Sequence, residues 1–194
     1  MNTKFIRSAL LGLSLVFTTA VAPAQAETYT LDTKGAHSFV QFKIKHLGYS
    51  WLLGRFNTFE GNFDLDENKP EASKINVTIE TASVDSNHAE RDKHLRSGDF
   101  LDVSKWPTAT FRSTKFEDLG NGKAMMHGDF TLKGITKPIS FEVSHIGGGK
   151  DPWGGYRQGF EGRTEFAIAD YGMMNLGPAS ANVEIYMSIE GIRQ

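Results

Sequence analysis

Val40-Gln41-Phe42-Lys43-Ile44-Lys45-His46 alternates strictly, with Val40, Phe42, Ile44 and His46 on one side of an extended chain and Gln41, Lys43 and Lys45 on the other. Wound into an α-helix, the same residues would scatter their apolar side chains around the axis, so the period of two specifies a half-buried strand. The pattern recurs. Phe59, Gly61, Phe63 and Leu65 alternate with Glu60, Asn62 and Asp64, and further runs carry Ile75, Val77 and Ile79, then Phe130 and Leu132. Ile139, Phe141 and Val143, Phe166 and Ile168, and Val183, Ile185, Met187 and Ile189 complete the set. Turn signals separate the runs: Asp66-Glu67-Asn68-Lys69-Pro70, Gly120-Asn121-Gly122, Gly134 and Gly147-Gly148-Gly149. Many short, evenly spaced strands predict an all-β domain, either a sandwich or a closed antiparallel barrel.

One segment departs from alternation. Ser86 through Ser97 reads SNHAERDKHLRS, rich in helix formers, with Asn87 placed as N-cap, Glu90 three residues on, and Gly98 as terminator. The spacing predicts one short helix covering a strand-to-strand crossing. It gathers His88, Glu90, Asp92 and His94 into seven residues, which raises metal binding or catalysis. Residues four apart share a helix face, so His88 pairs with Asp92 and Glu90 with His94. Two separate two-ligand faces do not make a three-ligand site, and no His-Glu-x-x-His pattern exists, so no metal is assigned. The chain has no Gly-x-Ser-x-Gly elbow, and its carboxylates are too scattered to nominate a glycosidase pair. Gly147-Gly148-Gly149-Lys150-Asp151 lacks the Ser or Thr and the leading Gly of a phosphate loop. No catalytic residue and no cofactor are assigned on these grounds.

The chain begins with Lys4 and Arg7, continues through the apolar run Ala9-Leu10-Leu11-Gly12-Leu13-Ser14-Leu15-Val16-Phe17, and reaches Ala24-Gln25-Ala26. That is the layout of a secretory leader with cleavage after Ala26, which implies a periplasmic product. The run is interrupted by Thr18, Thr19 and Pro23 and is too short to span a bilayer, and no Cys is present to carry a lipid, so no stable membrane anchor is expected. Residues 27–194 then form a single domain, undivided by any linker or repeat. With Lys4 and Arg7 gone, 19 of the 21 basic side chains face 23 acidic ones. A net charge near −4 without a basic block argues against nucleic acid and against anionic membrane surfaces. The absence of Cys excludes disulfides and thiolate chemistry. Such a domain is held by packing and hydrogen bonds alone, and 14 Phe and six Met suggest a large core.

Large apolar side chains dominate the inward positions. A solid core is one outcome. A closed barrel of about eight strands is the other, since that size can hold one small ligand. Gly61 and Gly128 on inward faces would leave volume unfilled, and His46-Leu47-Gly48-Tyr49-Ser50-Trp51-Leu52-Leu53 is apolar for a connection and suits a pocket entrance. The residues by themselves leave the two outcomes level.

From Tyr29-Thr30-Leu31-Asp32 to Ile189-Glu190-Gly191 the chain resembles the YceI-like family of lipocalin-like, polyisoprenoid-binding periplasmic proteins. The resemblance is carried by His37-Ser38-Phe39-Val40-Gln41-Phe42-Lys43-Ile44-Lys45-His46-Leu47-Gly48 and above all by HAERDKHLRSGDFLDVSKWPTATF, His88 to Phe111. Gly128-Asp129-Phe130-Thr131-Leu132-Lys133-Gly134-Ile135-Thr136-Lys137-Pro138 and Asp151-Pro152-Trp153-Gly154-Gly155 also fit. Where many members carry an Arg-x-Asp-Phe-Gly type of turn, this chain has Ile168-Ala169-Asp170-Tyr171-Gly172. The resemblance implies a lipocalin-like antiparallel barrel whose elongated apolar channel takes a long-chain isoprenoid lipid, with no catalytic residue and no metal. Its wall would be Val40, Phe42, Ile44, Phe59, Phe63, Val77, Ile79, Phe111, Phe130, Leu132, Phe141, Val143, Phe166 and Ile185. His46, Tyr49, Trp51, Arg91 and His94 are the candidates for binding a quinone, phenol or phosphate head, and an exposed barrel mouth offers a surface for a homodimer. Two competing expectations remain: an enzyme using the cluster from His88 to His94, and a solid-core β domain that binds a partner.

Overall fold

The computed structural model describes residues 26–35, 37–174 and 176–194, so the expected leader lies outside the described residues up to residue 25. The described chain runs β1 (Glu27–Leu31), β2 (Phe39–His46), β3 (Ser50–Phe56), β4 (Phe59–Leu65), β5 (Lys74–Glu80), β6 (Val84–Asp85), α1 (Ala89–Leu95), β7 (Thr108–Gly120), β8 (Lys123–Leu132), β9 (Ile135–Lys150), β10 (Tyr156–Ala167) and β11 (Asn182–Arg193). Strands β1-β4-β5-β7-β8-β9-β10-β11 follow one another around a ring, which closes because β1 also pairs with β11. The result is an eight-stranded antiparallel barrel of the lipocalin-like kind.

β2, β3 and β6 lie outside that ring. β11 pairs with β10 along one edge from Asn182 to Ile192. Its other edge is divided: Val183 to Ser188 pair with β2, and Gly191 to Arg193 pair with β1. β3 adds to β2, and β6 covers the far edge of β3 only at Arg55 and Phe56. The barrel wall at this end is completed by α1 and the segment after it. Trp106 seats its ring on Gly134, where a Cβ would collide with it and where φ is +73°. Only glycine meets both demands without strain.

The period-two reading locates β2, β4, β5 and β8 to β11 and passes over β1, β3, β6 and β7, and the other differences have local causes. α1 is capped by His88, whose Nδ1 accepts the Arg91 amide at 3.2 Å, instead of by Asn87, which is held at a positive φ of 61°. α1 ends at Leu95, ahead of Gly98. Gly147-Gly148-Gly149 is not a turn but part of β9, and the chain reverses later, at 151–155. The stretch from His46 to Leu53 is not a connection but most of a hairpin, with its turn at 47–49. Ile168 has left the strand and opens a 3-10 turn that buries Tyr171 against Phe130 and Phe166. Gly61 and Gly128 do not open space. A Cβ on Gly61 would strike the backbone of Asn76, and one on Gly128 would strike the Phe111 ring, so both glycines permit close approach.

At the end away from α1, Arg157 ties the seam of the ring together. Its Nη1 donates to Asp32 Oδ2 at 2.6 Å and to Glu190, and its Nε donates to Asp151 Oδ2 at 2.8 Å. The guanidinium, with His37 and the Gly35 amide, outweighs burial and holds the Asp32 carboxyl at about 2. Asp151 is shifted downward for the same reason. A carboxylate whose pKa falls on folding contributes stability above its unfolded value, and that contribution is lost as pH falls from about 4 to about 2. Asp32→Asn should therefore cost about 2 kcal/mol at neutral pH. It should also shrink the decline in the urea midpoint across that acid window, measured against the unmodified chain.

A candidate ligand site inside the barrel

The inward faces of the strands enclose a cavity of about 690 Å³. This lies within the roughly 300–1,000 Å³ of ligand sites. At about 30 Å³ per liquid-packed, water-sized group, it has room for about twenty carbon atoms. Of the expected wall, Val40, Phe42, Ile44, Phe63, Val77, Ile79, Phe111, Phe130, Leu132, Phe141, Val143, Phe166 and Ile185 line it. Phe59 does not line the cavity and is instead packed in the buried core cluster. Many wall residues point inward and yet stay half-buried, including Phe42, Ile44, Val77, Phe130, Val143 and Ile185. Inward-facing rings and methyls with accessible surface mean that opposite walls do not meet. Voids in packed cores cost about 24 cal/mol per Å³, so a space of this size is set by the ring geometry and is no packing fault.

The wall also includes side chains that strict alternation hides. A register shift in β7 between Ser113 and Lys115 adds one residue, and Phe116 turns inward beyond it. His145 continues the inward parity of Phe141 and Val143, and a second shift just beyond it, opposite Gly159 and Phe160, leaves Ile146 exposed. Phe160 lines the cavity from a strand whose nearest inward positions are Gln158, Gly162 and Thr164, too polar or small to read as an apolar face.

Polar groups sit at both ends. Near α1, the wall includes His46, Arg91 and His94. Arg91 Nε donates to Ser86 Oγ at 2.7 Å and Nη2 to the Ser86 carbonyl at 2.5 Å, and among the described residues no carboxylate pairs with it. Its neighbour Asp92 is turned away, accepting from the Ser86 amide at 2.8 Å and the Ser86 hydroxyl at 2.5 Å. His94 Nε2 lies 3.0 Å from Asp99 Oδ2, with its ring edge-on to Phe100. His88 is spent on capping the helix. The cluster thus divides into a cap, a loop tie and two wall residues. Tyr49 and Trp51 do not line the cavity: Tyr49 is in the hairpin turn, 87% exposed, and Trp51 falls on the outward parity of β3.

At the opposite end, Gln158 is 3% exposed and bridges two elements. Its Nε2 donates to Glu67 Oε1 at 2.8 Å, and its Oε1 lies 2.7 Å from His145 Nε2. Glu67 belongs to the β4–β5 loop, so this chain of bonds reaches across the barrel end. The inward parity of Gln158 was the one sequence signal for it, since its partners lie 13 and 91 residues away. Asp32, His37 and Glu190 bring ligand atoms within 4.8 Å of one another. Arg157 already donates to both carboxylates there, so the lone pairs a cation would need are engaged.

An eight-stranded lipocalin-like barrel around a long apolar cavity is the class of protein that fold and site define. The family model of the YceI-like domain matches residues 29–191, and the chain belongs to that family. A UPF0312 protein of Shewanella sp. strain ANA-3 is 54% identical over 192 residues, covering 98% of this chain and 99% of that protein. The crystal structure of a Campylobacter jejuni YCEI protein matches with a TM-score of 0.70 at 30% identity, covering 78% of this chain and 91% of that one. A polyisoprenoid binding domain from Saccharophagus degradans shares the fold at 16% identity, with a TM-score of 0.63 over 86% of this chain and 98% of that one.

If the interior is hollow, enlarging a wall residue meets no opposing side chain. Ile185→Phe should change the urea midpoint by less than about 0.5 kcal/mol equivalent, where overpacking a filled core costs about 1–3 kcal/mol.

Proposed function

We propose that the mature chain is a periplasmic carrier that holds one long-chain polyisoprenoid lipid in the barrel, its tail along the apolar wall and its polar head at one end. The observation that carries this reading is the cavity itself, apolar over nearly its whole wall and large enough for about twenty carbons. Each buried methylene contributes about 0.8 kcal/mol, so such a tail supplies about 16 kcal/mol gross. Association and tail ordering take back about 4–15 kcal/mol, which leaves binding useful and reversible. The Saccharophagus degradans domain of the same fold is described as polyisoprenoid binding, which agrees with this ligand class. The expected leader supports export, and a lipid nearly insoluble in water needs a carrier there.

Arg91 supports a head group with acceptor oxygens, because it is a cation on the wall without a carboxylate partner among the described residues. The enzyme alternative draws no support from the helix cluster, whose His88 and Asp92 are committed to the helix cap and the Ser86 loop. A solid-core domain is disfavoured by the half-buried wall.

Native mass spectrometry of the secreted chain, followed by organic extraction, tests the reading. A stoichiometric isoprenoid released only on unfolding is expected, on a chain beginning at Glu27. A chain without lipid that also refuses added prenyl lipid overturns it. Arg91→Met should weaken binding of a polyprenyl phosphate or phenol by about tenfold while leaving a prenyl hydrocarbon of equal length unaffected, read by competition with a fluorescent lipid.

A further inference from the structure

The β2–β3 hairpin presents different chemistry on its two faces. Ile44, His46 and Leu52 line the α1 end of the cavity. The outward face and turn expose Leu47, Tyr49, Trp51 and Leu53, at 57%, 87%, 50% and 66%. Across the pair, Lys45 is opposite Trp51 and Lys43 opposite Leu53, and the two ammonium groups lie 5.5 and 4.8 Å from the Trp51 ring centroid. Leu176, 39% exposed, continues the apolar surface from the outside onto the cavity wall. The Ser180 hydroxyl, which accepts the Leu47 amide and donates to the Lys45 carbonyl, pins the turn against the loop that carries Leu176.

We propose that this hairpin tip docks the cavity mouth on the surface of an anionic lipid bilayer, reversibly and without spanning it. Single exposed apolar residues are ordinary, but four on one hairpin make a patch that calls for an occupant. Trp and Tyr beside Lys is the composition of a water–bilayer boundary, where rings sit at headgroup depth and long cationic stems reach the phosphates. Charge agrees. Residues 33–59 hold Lys34, Lys43, Lys45 and Arg55 and no Asp or Glu, within a mature chain that is acidic overall. Glu184 neutralises Lys43 and Asp85 approaches Arg55 at 3.7 Å, while Lys45, nearest the tip, has no ion-pair partner among the described residues. The expectation drawn from net charge, that anionic membranes are excluded, therefore does not apply to this face. A second copy of the chain fits less well, because four side chains fall far short of the roughly 20–30 residues a side of a stable interface. A reversible surface contact needs only a few buried side chains and a few charges.

The idea rests on reading the cavity ligand as a membrane lipid, and the test separates the two. The mature chain is floated with vesicles of phosphatidylcholine containing about one-third phosphatidylglycerol, free of isoprenoid, while isoprenoid uptake is measured separately from detergent. Vesicle binding that weakens with added salt is expected, with a blue shift of Trp51 emission in a Trp106→Phe, Trp153→Phe background. Trp51→Ser with Leu53→Ser, both on the outward face, should lower vesicle binding by at least about tenfold and leave detergent-phase uptake unchanged. Lys45→Glu should cost about fivefold or more on anionic vesicles and little on neutral ones. Binding equal in wild type and the double variant overturns the proposal. So does a wild type that ignores vesicles, including one that sediments as a dimer and becomes a monomer on the double substitution. Vesicle binding without isoprenoid uptake would retain the docking face and reject the carrier reading.

Discussion

Everything in this fold hangs on the divided edge of β11. A sheet of this length must find partners for its outermost backbone groups, and β11 provides them twice, to β1 near its end and to β2 over its first half. The first pairing closes the ring and the second starts the branch that holds the β2–β3 hairpin. Without cysteine, backbone hydrogen bonds and one arginine do the closing. Asp32 follows β1, Glu190 lies on β11, and Asp151 follows β9, so Arg157 binds three elements that meet where the ring is sealed.

Closure at that radius then dictates the interior. An eight-stranded ring can be filled by side chains or left hollow, and here the walls stand too far apart for the inward side chains to meet. The aromatic side chains instead pack along the wall with their neighbours: Tyr29 on Phe63, Phe111 against Phe141, Phe130 against Phe166. Stability comes from lateral contacts around the ring, which leaves the axis available. The ends differ in kind. One is finished by α1 and carries Arg91, which bonds Ser86 and has no carboxylate partner among the described residues, and the other is crossed by Glu67, Gln158 and His145.

The alternation in the sequence made most of the wall legible, because a strand with one wet and one dry face writes its geometry at every second position. Thirteen of the fourteen expected wall residues face the cavity for that reason. What was not legible came from three physical sources. An inserted residue in β7 reverses the parity partway along, so Phe116 could not be placed by counting, and His145, although on the parity of Val143, is polar and does not read as part of an apolar face. Hydrogen bonds between residues 91 or 125 apart leave no local trace, which hid both the Gln158 bridge and the Arg157 seal. Aromatic residues invite burial in any reading by composition, so Trp51 and Tyr49 were drawn toward a ligand site although parity and turn position put them outside.

The hairpin that serves two surroundings from adjacent residues has a consequence for how such a chain can diverge. Exchanging Trp51 or Lys45 alters what the outside meets and leaves Leu52 and Ile44 facing the cavity. Adding or deleting one residue inside β2 or β3 would turn every later side chain over, setting lysine toward the apolar space and isoleucine toward water. Substitution is therefore cheap and changes of length are not, except at the turns around 47–49, 121 and 151–155. A lineage built on this barrel can vary its surface chemistry freely while the spacing of its walls stays frozen.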